Sequence, residues 1–431
     1  MNSDEVRSKH DTYLWPCTAN YYGKPVAIAE GRGTRVTDLD GQQYLDFFGG
    51  ILTTSIGHSV PEINQAIHAQ VDRVLHTSTL YPSPPMVAYA EELAKACPDG
   101  LSKVFFTSSG TEADETAIMI AQLHTGRQEV VALRHCYSGR SFLAQSVTAH
   151  STWRTTATQV PFVRHAHAPY CYRCDFGLTY PACSLICASD IERLIETTTS
   201  GQVAAFIAEP IQGVGGFVTP PPDYFKVAVE IVRSHGALFI SDEVQTGFGR
   251  TGGKMWGIEQ YGVVPDVMTM AKGIANGLPL SATVTRPEIA ASLRGLSIST
   301  FGGNPVACAA ASATLSYVRD HALLDHVTEV GSALRDGLET LRLGFPKLVG
   351  DLRGMGLMQA IELVVDEAAG DRTPNPKATL ALFEATRKRG LLIGKGGLYG
   401  NVVRIAPPMT VTRSDVEEAV KILEASLAEI S

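Results

Sequence analysis

Lys272 is the residue whose position in the sequence most strongly suggests chemistry. It follows the apolar run Val267–Met270, which is typical of a buried strand, and it precedes the glycine-containing turn Gly273–Gly277. Most lysines are exposed, but burial disfavours the charged form and lowers the pKa of the ammonium group. The neutral amine is a nucleophile that forms an imine with a carbonyl compound. We therefore predict that Lys272 is a Schiff-base lysine.

Asp242 is the second candidate, because it follows the apolar run Ala237–Ile240 and adjoins Glu243. Two adjacent carboxylates are also typical of a solvated pair or of a metal site. Opposite a pyridine ring, however, a buried carboxylate would keep the ring nitrogen protonated, since an opposite charge favours the charged form. A protonated pyridine withdraws electrons and stabilises a carbanion.

Polar residues follow three further predicted strands. Ser109, Gly110 and Thr111 precede a predicted helix, and a helix N-terminus binds phosphate, although Ser109 is equally typical of a plain N-cap. Tyr137 would stack on a flat ring or simply pack, and Glu209 follows the run Val203–Ile207. Ligands bind beyond the carboxyl ends of the strands in open α/β sheets. Together these residues suit one anionic, aromatic, imine-forming cofactor.

The elements that must position these residues alternate between strand and helix. The predicted strands are Lys103–Phe106, Glu129–Leu133, Val203–Ile207, Ala237–Ile240 and Val267–Met270, with helical patterns such as Glu112–Leu123 and Tyr224–Ser234 between them. Such alternation predicts an α/β fold with a mostly parallel sheet. We expect a large domain over residues 55–315, and a smaller α+β domain formed by residues 1–54 and 316–431. The smaller domain would include short strands within 26–48, with a turn at Asp40-Gly41.

Composition excludes several other classes of protein. The chain has 431 residues and a formal net charge of −8, which disfavours nucleic acid or an anionic membrane as a partner. No apolar run approaches the length of a membrane span, and the polar N-terminus lacks the apolar core of a secretory signal. We therefore expect a cytoplasmic enzyme. No GxGxxG follows the first strand, which disfavours a nucleotide-binding oxidoreductase.

Four of the eight cysteines form a separate pattern. Cys171, Cys174, Cys183 and Cys187 have the spacing C-x2-C-x8-C-x3-C, which a structural zinc loop would explain. Free thiols in an irregular segment explain it as well. The spacing is looser than that of paired zinc knuckles, so we predict no metal and keep zinc as the alternative.

The motifs around Asp242 and Lys272 resemble those of class III aminotransferases. These motifs are ALFISDEVQTGFGRTG and PDVMTMAKGIANGLPL, and the resemblance extends over nearly the whole chain. It implies pyridoxal 5'-phosphate (PLP) as cofactor and the fold type I architecture of PLP-dependent transferases. Motifs such as EPIQGVGG and TFGGNP are most similar to those of the alanine–glyoxylate and β-aminoisobutyrate–pyruvate aminotransferases.

The resemblance also assigns roles to individual residues. Lys272 and Asp242 are implied as catalytic, and the residues implied to bind the cofactor are Ser109, Gly110, Thr111, Tyr137, Glu209, Asp242, Gln245, Lys272 and Thr300. Thr300, in STFGGNP, looks like a phosphate ligand donated by a second subunit. This implies a homodimer with shared active sites, or a tetramer.

The substrate is less well defined by the resemblance. Arg404, in RIAPP, resembles an arginine that binds a substrate carboxylate, and Arg140 matches an arginine that binds a distal one; Ile51 is also expected in the substrate pocket. Val214 stands where 4-aminobutyrate aminotransferases usually carry a glutamate. We expect ping-pong amino transfer to a small oxo-acid such as pyruvate or glyoxylate. The alternatives are a 4-aminobutyrate/2-oxoglutarate aminotransferase, a dialkylglycine-type decarboxylase and an aminomutase.

Overall fold

The computed structural model describes residues 1–157 and 159–431, in which helices and strands alternate along the chain. In chain order the helices are α1 (Ser3–Tyr13), α2 (Gly49–Leu52), α3 (Pro61–Val71), α4 (Pro84–Ala96), α5 (Gly110–Thr125), α6 (Phe142–Val147), α7 (Ile186–Thr198), α8 (Tyr224–Ser234), α9 (Pro287–Ala290), α10 (Pro305–Asp320), α11 (Leu323–Gly344), α12 (Pro376–Lys388) and α13 (Arg413–Ile430). The strands are β1 (Ile28–Arg32), β2 (Arg35–Asp38), β3 (Gln43–Asp46), β4 (Lys103–Thr107), β5 (Glu129–Leu133), β6 (Val163–Ala166), β7 (Val203–Ala208), β8 (Leu238–Asp242), β9 (Val267–Met270), β10 (Ser281–Thr285), β11 (Val349–Met355), β12 (Met358–Asp366), β13 (Asp371–Pro374), β14 (Leu391–Leu392), β15 (Gly394–Gly396) and β16 (Val402–Ile405).

A seven-stranded sheet forms the centre of the molecule, in the order β4-β10-β9-β8-β7-β5-β6. Strand β10 is antiparallel to both of its neighbours, and the remaining strands run in one direction. Strand β7 is buried along its whole length, as expected for a parallel strand covered on both faces. The predicted α/β class and all five predicted strands are confirmed.

Strand β10 was not predicted, because its sequence SATVT is rich in hydroxyl groups. All five residues are nevertheless buried. Their hydroxyls find partners inside the protein: Thr283 Oγ1 donates to the Ala113 carbonyl at 2.9 Å, and Thr285 Oγ1 to the Asp266 carbonyl at 2.8 Å. Hydrogen bonding removes most of the cost of burying a hydroxyl, so a polar sequence occupies a central strand.

The helices that cover the sheet begin and end at recognisable residues. Helix α5 starts at the N-cap Ser109, whose side chain accepts a hydrogen bond from Glu112 N, and it ends at Gly126, which has a φ of +69°. Helix α8 matches its predicted bounds and buries one apolar face. Among the described residues, no helix combines the length and the apolar character needed to cross a membrane.

Residues from both ends of the chain form two further sheets. Strand β14 pairs with β3, which joins the C-terminal region to the N-terminal sheet β1-β2-β3. The predicted turn at Asp40-Gly41 connects β2 and β3, and Gly41 has a φ of +83°. A second sheet contains β11, β12, β16 and β15, with β13 on β12. The pairing of β14 with β3 supports the proposed small domain formed by both ends of the chain. The proposed boundary at residue 315, however, falls inside helix α10.

Candidate active site

A cavity of about 420 Å³ lies at the carboxyl edge of the central sheet. It brings together residues that follow β4, β5, β7, β8 and β9, as expected where parallel strands end. The predicted site residues that line it are Ile51, Ser109, Gly110, Thr111, Tyr137, Glu209, Asp242, Gln245, Lys272 and Arg404. Arg140 and Thr300 do not line it.

The N-terminus of α5 forms one wall of this cavity. Ser109 does act as the N-cap, and in the described part of the chain the N–H groups of Gly110 and Thr111 have no acceptor. Gly139 packs so closely on this turn that an added Cβ would lie 2.1 Å from Thr111 Oγ1. Free N–H groups, a hydroxyl and the positive end of a helix dipole suit a phosphate. The N-cap and a potential phosphate site therefore coexist at Ser109–Thr111, which we call the phosphate cradle.

Lys272 lies directly beyond β9, in the left-handed region of backbone conformation, with a φ of +46°. This conformation is unfavourable for a residue with a Cβ, and such strain is often found at functional sites. Burial lowers the pKa of the Lys272 ammonium group, although Asp242 and Glu209 act in the opposite direction. Desolvation at this site thus shifts the equilibrium of Lys272 toward the neutral, nucleophilic amine.

Three buried carboxyl groups surround this lysine. Asp242 accepts a hydrogen bond from Val244 N at 3.0 Å, and Glu209 accepts from Tyr137 N at 3.1 Å and from Gly213 N at 2.8 Å. Asp114 accepts from Thr269 Oγ1 at 2.7 Å. Burial raises the pKa of all three groups, and the Asp242 charge raises those of Glu209 and Asp114 further. A cationic ligand group would be attracted to this end of the cavity.

Glu243, the neighbour of Asp242, points away from the cavity. Its carboxylate accepts hydrogen bonds from Gly257 N and Ile258 N, each at 2.8 Å. Both carboxylates are buried, so a solvated pair is excluded, and the two residues have different partners. Glu243 holds a loop in place, whereas Asp242 faces the cavity.

Gln245 and Tyr137 line the same cavity as Lys272 and Asp242. Gln245 Oε1 is buried and has no hydrogen-bond partner among the described residues. An added Cβ at Gly213 would lie 2.3 Å from Gln245 Cδ, so Gly213 leaves room for this amide. The Tyr137 ring meets Trp153 edge to face at 6.0 Å between centroids. An unpartnered buried amide beside an aromatic ring fits a planar ligand with polar substituents.

Arg404 also lines the cavity and is buried. Its Nε donates to the Lys395 carbonyl at 2.9 Å, and Nη1 donates to the Gly213 carbonyl at 3.2 Å. The guanidinium lies over the Phe48 ring, 4.7 Å from the centroid. In residues 1–157 and 159–431, no carboxylate approaches within 4.0 Å of its nitrogens. A buried cation without an ionic partner is suited to an anionic ligand.

Comparison with known proteins agrees with this geometry. The family model described as aminotransferase class-III matches residues 18–427. The chain belongs to this family. It is 40% identical to alanine–glyoxylate aminotransferase 2 homolog 2, mitochondrial, of Arabidopsis thaliana, over all of this chain and 88% of that protein. It is 36% identical to alanine–glyoxylate aminotransferase 2, mitochondrial, of Homo sapiens, over all of this chain and 87% of that protein.

Solved structures confirm the fold of this aminotransferase. An (S)-enantioselective omega-transaminase from Thermomicrobium roseum superposes with a TM-score of 0.91 at 34% identity, covering 100% of this chain and 99% of the other. An amine transaminase from an uncultivated Pseudomonas species, solved with PLP bound, gives 0.90 at 32% identity, covering 97% and 99%. These superpositions confirm the predicted fold type I. Class III aminotransferases are PLP-dependent, so membership of this family confirms the predicted enzyme class.

Two predicted residues lie outside the cavity of the aminotransferase. Arg140 is exposed, but its backbone N–H donates to Thr111 Oγ1 at 3.3 Å, so it lies beside the cradle. Thr300 is exposed in a segment that carries other exposed side chains, including Ile298 and Phe301. Within one chain, neither residue is brought to Lys272, and their roles stay predictions.

The cavity also contains residues that sequence reasoning missed: Asp114, Tyr21 and Trp153. Asp114 lies four positions after Gly110 on α5, which places both on one helix face, so this spacing was an available signal. Tyr21 comes from an irregular segment and Trp153 from the short 3₁₀ helix Ser151–Trp153, both far from the strand ends. No local pattern indicates that they reach the site.

The four cysteines of the C-x2-C-x8-C-x3-C pattern line a separate cavity of about 20 Å³. All four are free thiols. Among the described residues, no group of three or more His, Cys, Asp or Glu side chains is arranged to hold a metal. The absence of a bound metal in solution stays a prediction.

Proposed function

We propose that this aminotransferase moves an amino group from a short-chain amino acid, an ω-amino acid or an amine to a small oxo-acid, with pyruvate or glyoxylate as the acceptor. The observation that carries the substrate proposal is Arg404, a buried guanidinium at one end of the cavity with no carboxylate partner among the described residues. A planar guanidinium binds a carboxylate through two parallel hydrogen bonds. Relatives named alanine–glyoxylate aminotransferase support the choice of oxo-acid.

The residues present fit PLP as the cofactor. The start of α5 would hold the phosphate, Tyr137 would stack on the ring, and the amide N–H of Gln245 would donate to a ring oxygen. Asp242 would keep the ring nitrogen protonated, supported by the hydrogen-bonded Glu209. When bound, PLP supplies the aldehyde for the imine and an electron sink for the substrate Cα carbanion.

Lys272 has two tasks in this proposal. Its neutral amine would hold the cofactor between substrates, and once displaced it would remove a proton from the donor carbon and return it elsewhere. Desolvation, the main cause, lowers the pKa of Lys272, which shifts the equilibrium toward the neutral amine that can accept that proton.

The proposal is tested by half-reactions of the purified holoenzyme. Alanine, β-aminoisobutyrate, 4-aminobutyrate and isopropylamine would each be added without an oxo-acid, and the loss of the yellow cofactor absorbance followed. We expect alanine and β-aminoisobutyrate to react fastest, with absorbance restored by pyruvate or glyoxylate. Exclusive restoration by 2-oxoglutarate would contradict the proposed acceptor.

An Arg404→Ala variant is expected to lose about one to two orders of magnitude in kcat/KM for pyruvate and for alanine. The estimate corresponds to one charged bidentate contact worth roughly 1.5–3 kcal/mol. The half-reaction with isopropylamine, which has no carboxylate, should be nearly unchanged. Arg140→Ala is the matched control for alanine and isopropylamine, because Arg140 is an exposed arginine beside the same site and neither substrate has a distal carboxylate for it to bind. Equal losses with alanine and isopropylamine would show that Arg404 is structural.

A 4-aminobutyrate/2-oxoglutarate reaction is the second candidate. Arg140 beside the cradle would bind a distal carboxylate, and the 4-aminobutyrate aminotransferase of Mycobacterium leprae is 36% identical over 94% of this chain. Val214 lines the cavity at the position where 4-aminobutyrate aminotransferases usually carry a glutamate. Such a glutamate would pair with Arg404 when the bound substrate has no carboxylate for it. This substitution favours the pyruvate or glyoxylate reaction.

We further propose a homodimer in which Thr300 completes the phosphate site of the partner. The side chains of Ile298 and Phe301 beside it are 60% and 64% exposed, and exposed apolar surface supports an interface there. The cytoplasmic location inferred from the sequence also stays a proposal, since the two relatives named above are mitochondrial proteins.

Subunit mixing is expected to restore activity if Thr300 is shared. A Lys272→Ala chain and a Thr300→Glu chain, the latter placing a carboxylate against the phosphate, should each be inactive. Their hybrid dimer contains one site with neither lesion, so about half of the parent activity per hybrid dimer is expected. Mixing Lys272→Ala with Asp242→Asn is the control, because both sites then stay damaged. No recovery in verified hybrids would refute the shared site.

A further inference from the structure

The loop Gly213–Gly216 forms part of the wall at the Arg404 end of the cavity. Val214 lines the cavity, the Gly213 carbonyl accepts a hydrogen bond from Arg404 Nη1, and the Val214 carbonyl accepts one from Gly397 N at 2.9 Å. The backbone of this loop therefore determines where Val214 stands and how the Arg404 guanidinium is turned.

Arg353 holds the same loop from the side away from the cavity. Its Nε donates to the Gly216 carbonyl at 2.8 Å, and its Nη1 donates to Glu362 Oε2 at 2.7 Å and to Asp351 Oδ2 at 2.6 Å. Arg353 does not line the cavity. One planar guanidinium thus connects the loop to two carboxylates of the β11–β12 sheet.

Glu362 is the fixed point of this arrangement. Its side chain is fully buried, and it also accepts hydrogen bonds from the Tyr170 hydroxyl, Arg173 Nε and Asn401 Nδ2. Burial by itself would raise the pKa of Glu362, but Arg353, Tyr170 and Arg173 together hold it below its ordinary value. The carboxylate is therefore ionised and anchors Arg353 from a site without solvent.

A buried ion pair of this kind does not by itself explain stability. Well-packed apolar side chains of similar volume are often as stabilising, because removing two charges from water is costly. What apolar side chains cannot supply is a directed hydrogen bond to the Gly216 carbonyl. The position of the Gly216 carbonyl is further restricted by the packing around this residue. Gly216 has a φ of +99°, and an added Cβ would lie 3.0 Å from Val402 Cγ2.

We propose that Arg353, anchored by Glu362, is a positioning residue for the substrate-carboxylate end of the active site. It touches neither substrate nor cofactor; it fixes the loop that carries Val214 and contacts Arg404. This inference rests on the proposed function, because it assigns a carboxylate ligand to Arg404.

An Arg353→Lys variant tests the inference, since lysine keeps the charge near Glu362 but lacks the planar fork that also reaches Gly216. Single-turnover half-reactions of the holoenzyme with alanine and with isopropylamine separate concentration dependence from the limiting rate. We expect the half-saturating concentration of alanine to rise about tenfold, as for the loss of one well-oriented polar contact, with the limiting rate nearly unchanged. The isopropylamine reaction should not change.

Arg335→Lys is the matched control. Arg335 donates to the Leu352 carbonyl and to Gln359 Oε1, on strands β11 and β12, but does not contact the loop. It should leave both half-reactions unchanged. Gly216→Ala perturbs the loop without altering any charge and should reproduce the selective effect on alanine, which also covers the case in which Arg353→Lys does not fold.

The outcomes separate this inference from the proposed function. If the parent enzyme reacts with neither alanine nor pyruvate, the proposed function fails. If the parent reacts but Arg353→Lys and Gly216→Ala weaken alanine and isopropylamine equally, or weaken neither, the positioning role is refuted while the proposed function stands.

Discussion

A Lys272→Ala variant is expected to lose turnover by roughly four orders of magnitude, because one amine serves both to hold the cofactor and to transfer protons. Lys272 is half-buried just beyond β9, where desolvation lowers the pKa of its ammonium group. No other lysine lines the cavity in the described part of the chain. A second amine is therefore not available to take over either task.

Steady-state kinetics and the cofactor spectrum would be measured together for this variant. The phosphate cradle at α5 does not involve Lys272, so some cofactor should remain bound while its absorbance changes. Lys254→Ala is the control, since Lys254 is an exposed lysine in the same region of the chain. Near-normal activity of Lys272→Ala would end the assignment of this residue.

An Asp242→Asn variant is expected to keep the fold and lose about two to three orders of magnitude in kcat. Asparagine has nearly the same shape and can still accept the Val244 N–H bond, but it lacks the negative charge. An opposite charge at short range shifts a pKa by roughly 1–3 units, so without Asp242 the ring nitrogen would be largely deprotonated at neutral pH. The electron sink would then be weaker.

The neighbouring Glu243→Gln variant separates this effect from a loss of structure. Glu243 is equally buried, but its partners are Gly257 N and Ile258 N rather than the cavity. We expect Glu243→Gln to lower the unfolding temperature, because the glutamine NH2 would face one of these two backbone N–H donors, while leaving kcat within about threefold. Equal kcat values for Asp242→Asn and the parent enzyme would show that Asp242 has no role at the ring.

Much of the site was predictable because Lys272, Asp242, Glu209, Tyr137 and Ser109 lie at or just beyond the ends of apolar strands. The carboxyl ends of parallel strands meet at one edge of a sheet, so five separate segments of sequence had to converge there. Lys272 and Asp242 line the same cavity, as expected from their positions just beyond β9 and at the end of β8. A local pattern also predicted α8 with the bounds it has in the structure.

The sequence alone therefore determined the α/β class, the family and the order of the chemical groups along the chain, because periodicity and strand-end motifs are local. Only the tertiary structure decided which way side chains turn and what meets them across long sequence distances. It separated Asp242 from the structural Glu243, and it brought Asp114, Tyr21 and Trp153 into the cavity. It also showed that Arg404 is buried without a carboxylate partner in the described chain. The sequence could not show this, because Arg404 contacts Gly213, which lies nearly 200 residues away in the chain. Such contacts depend on packing between distant elements, which no local pattern encodes.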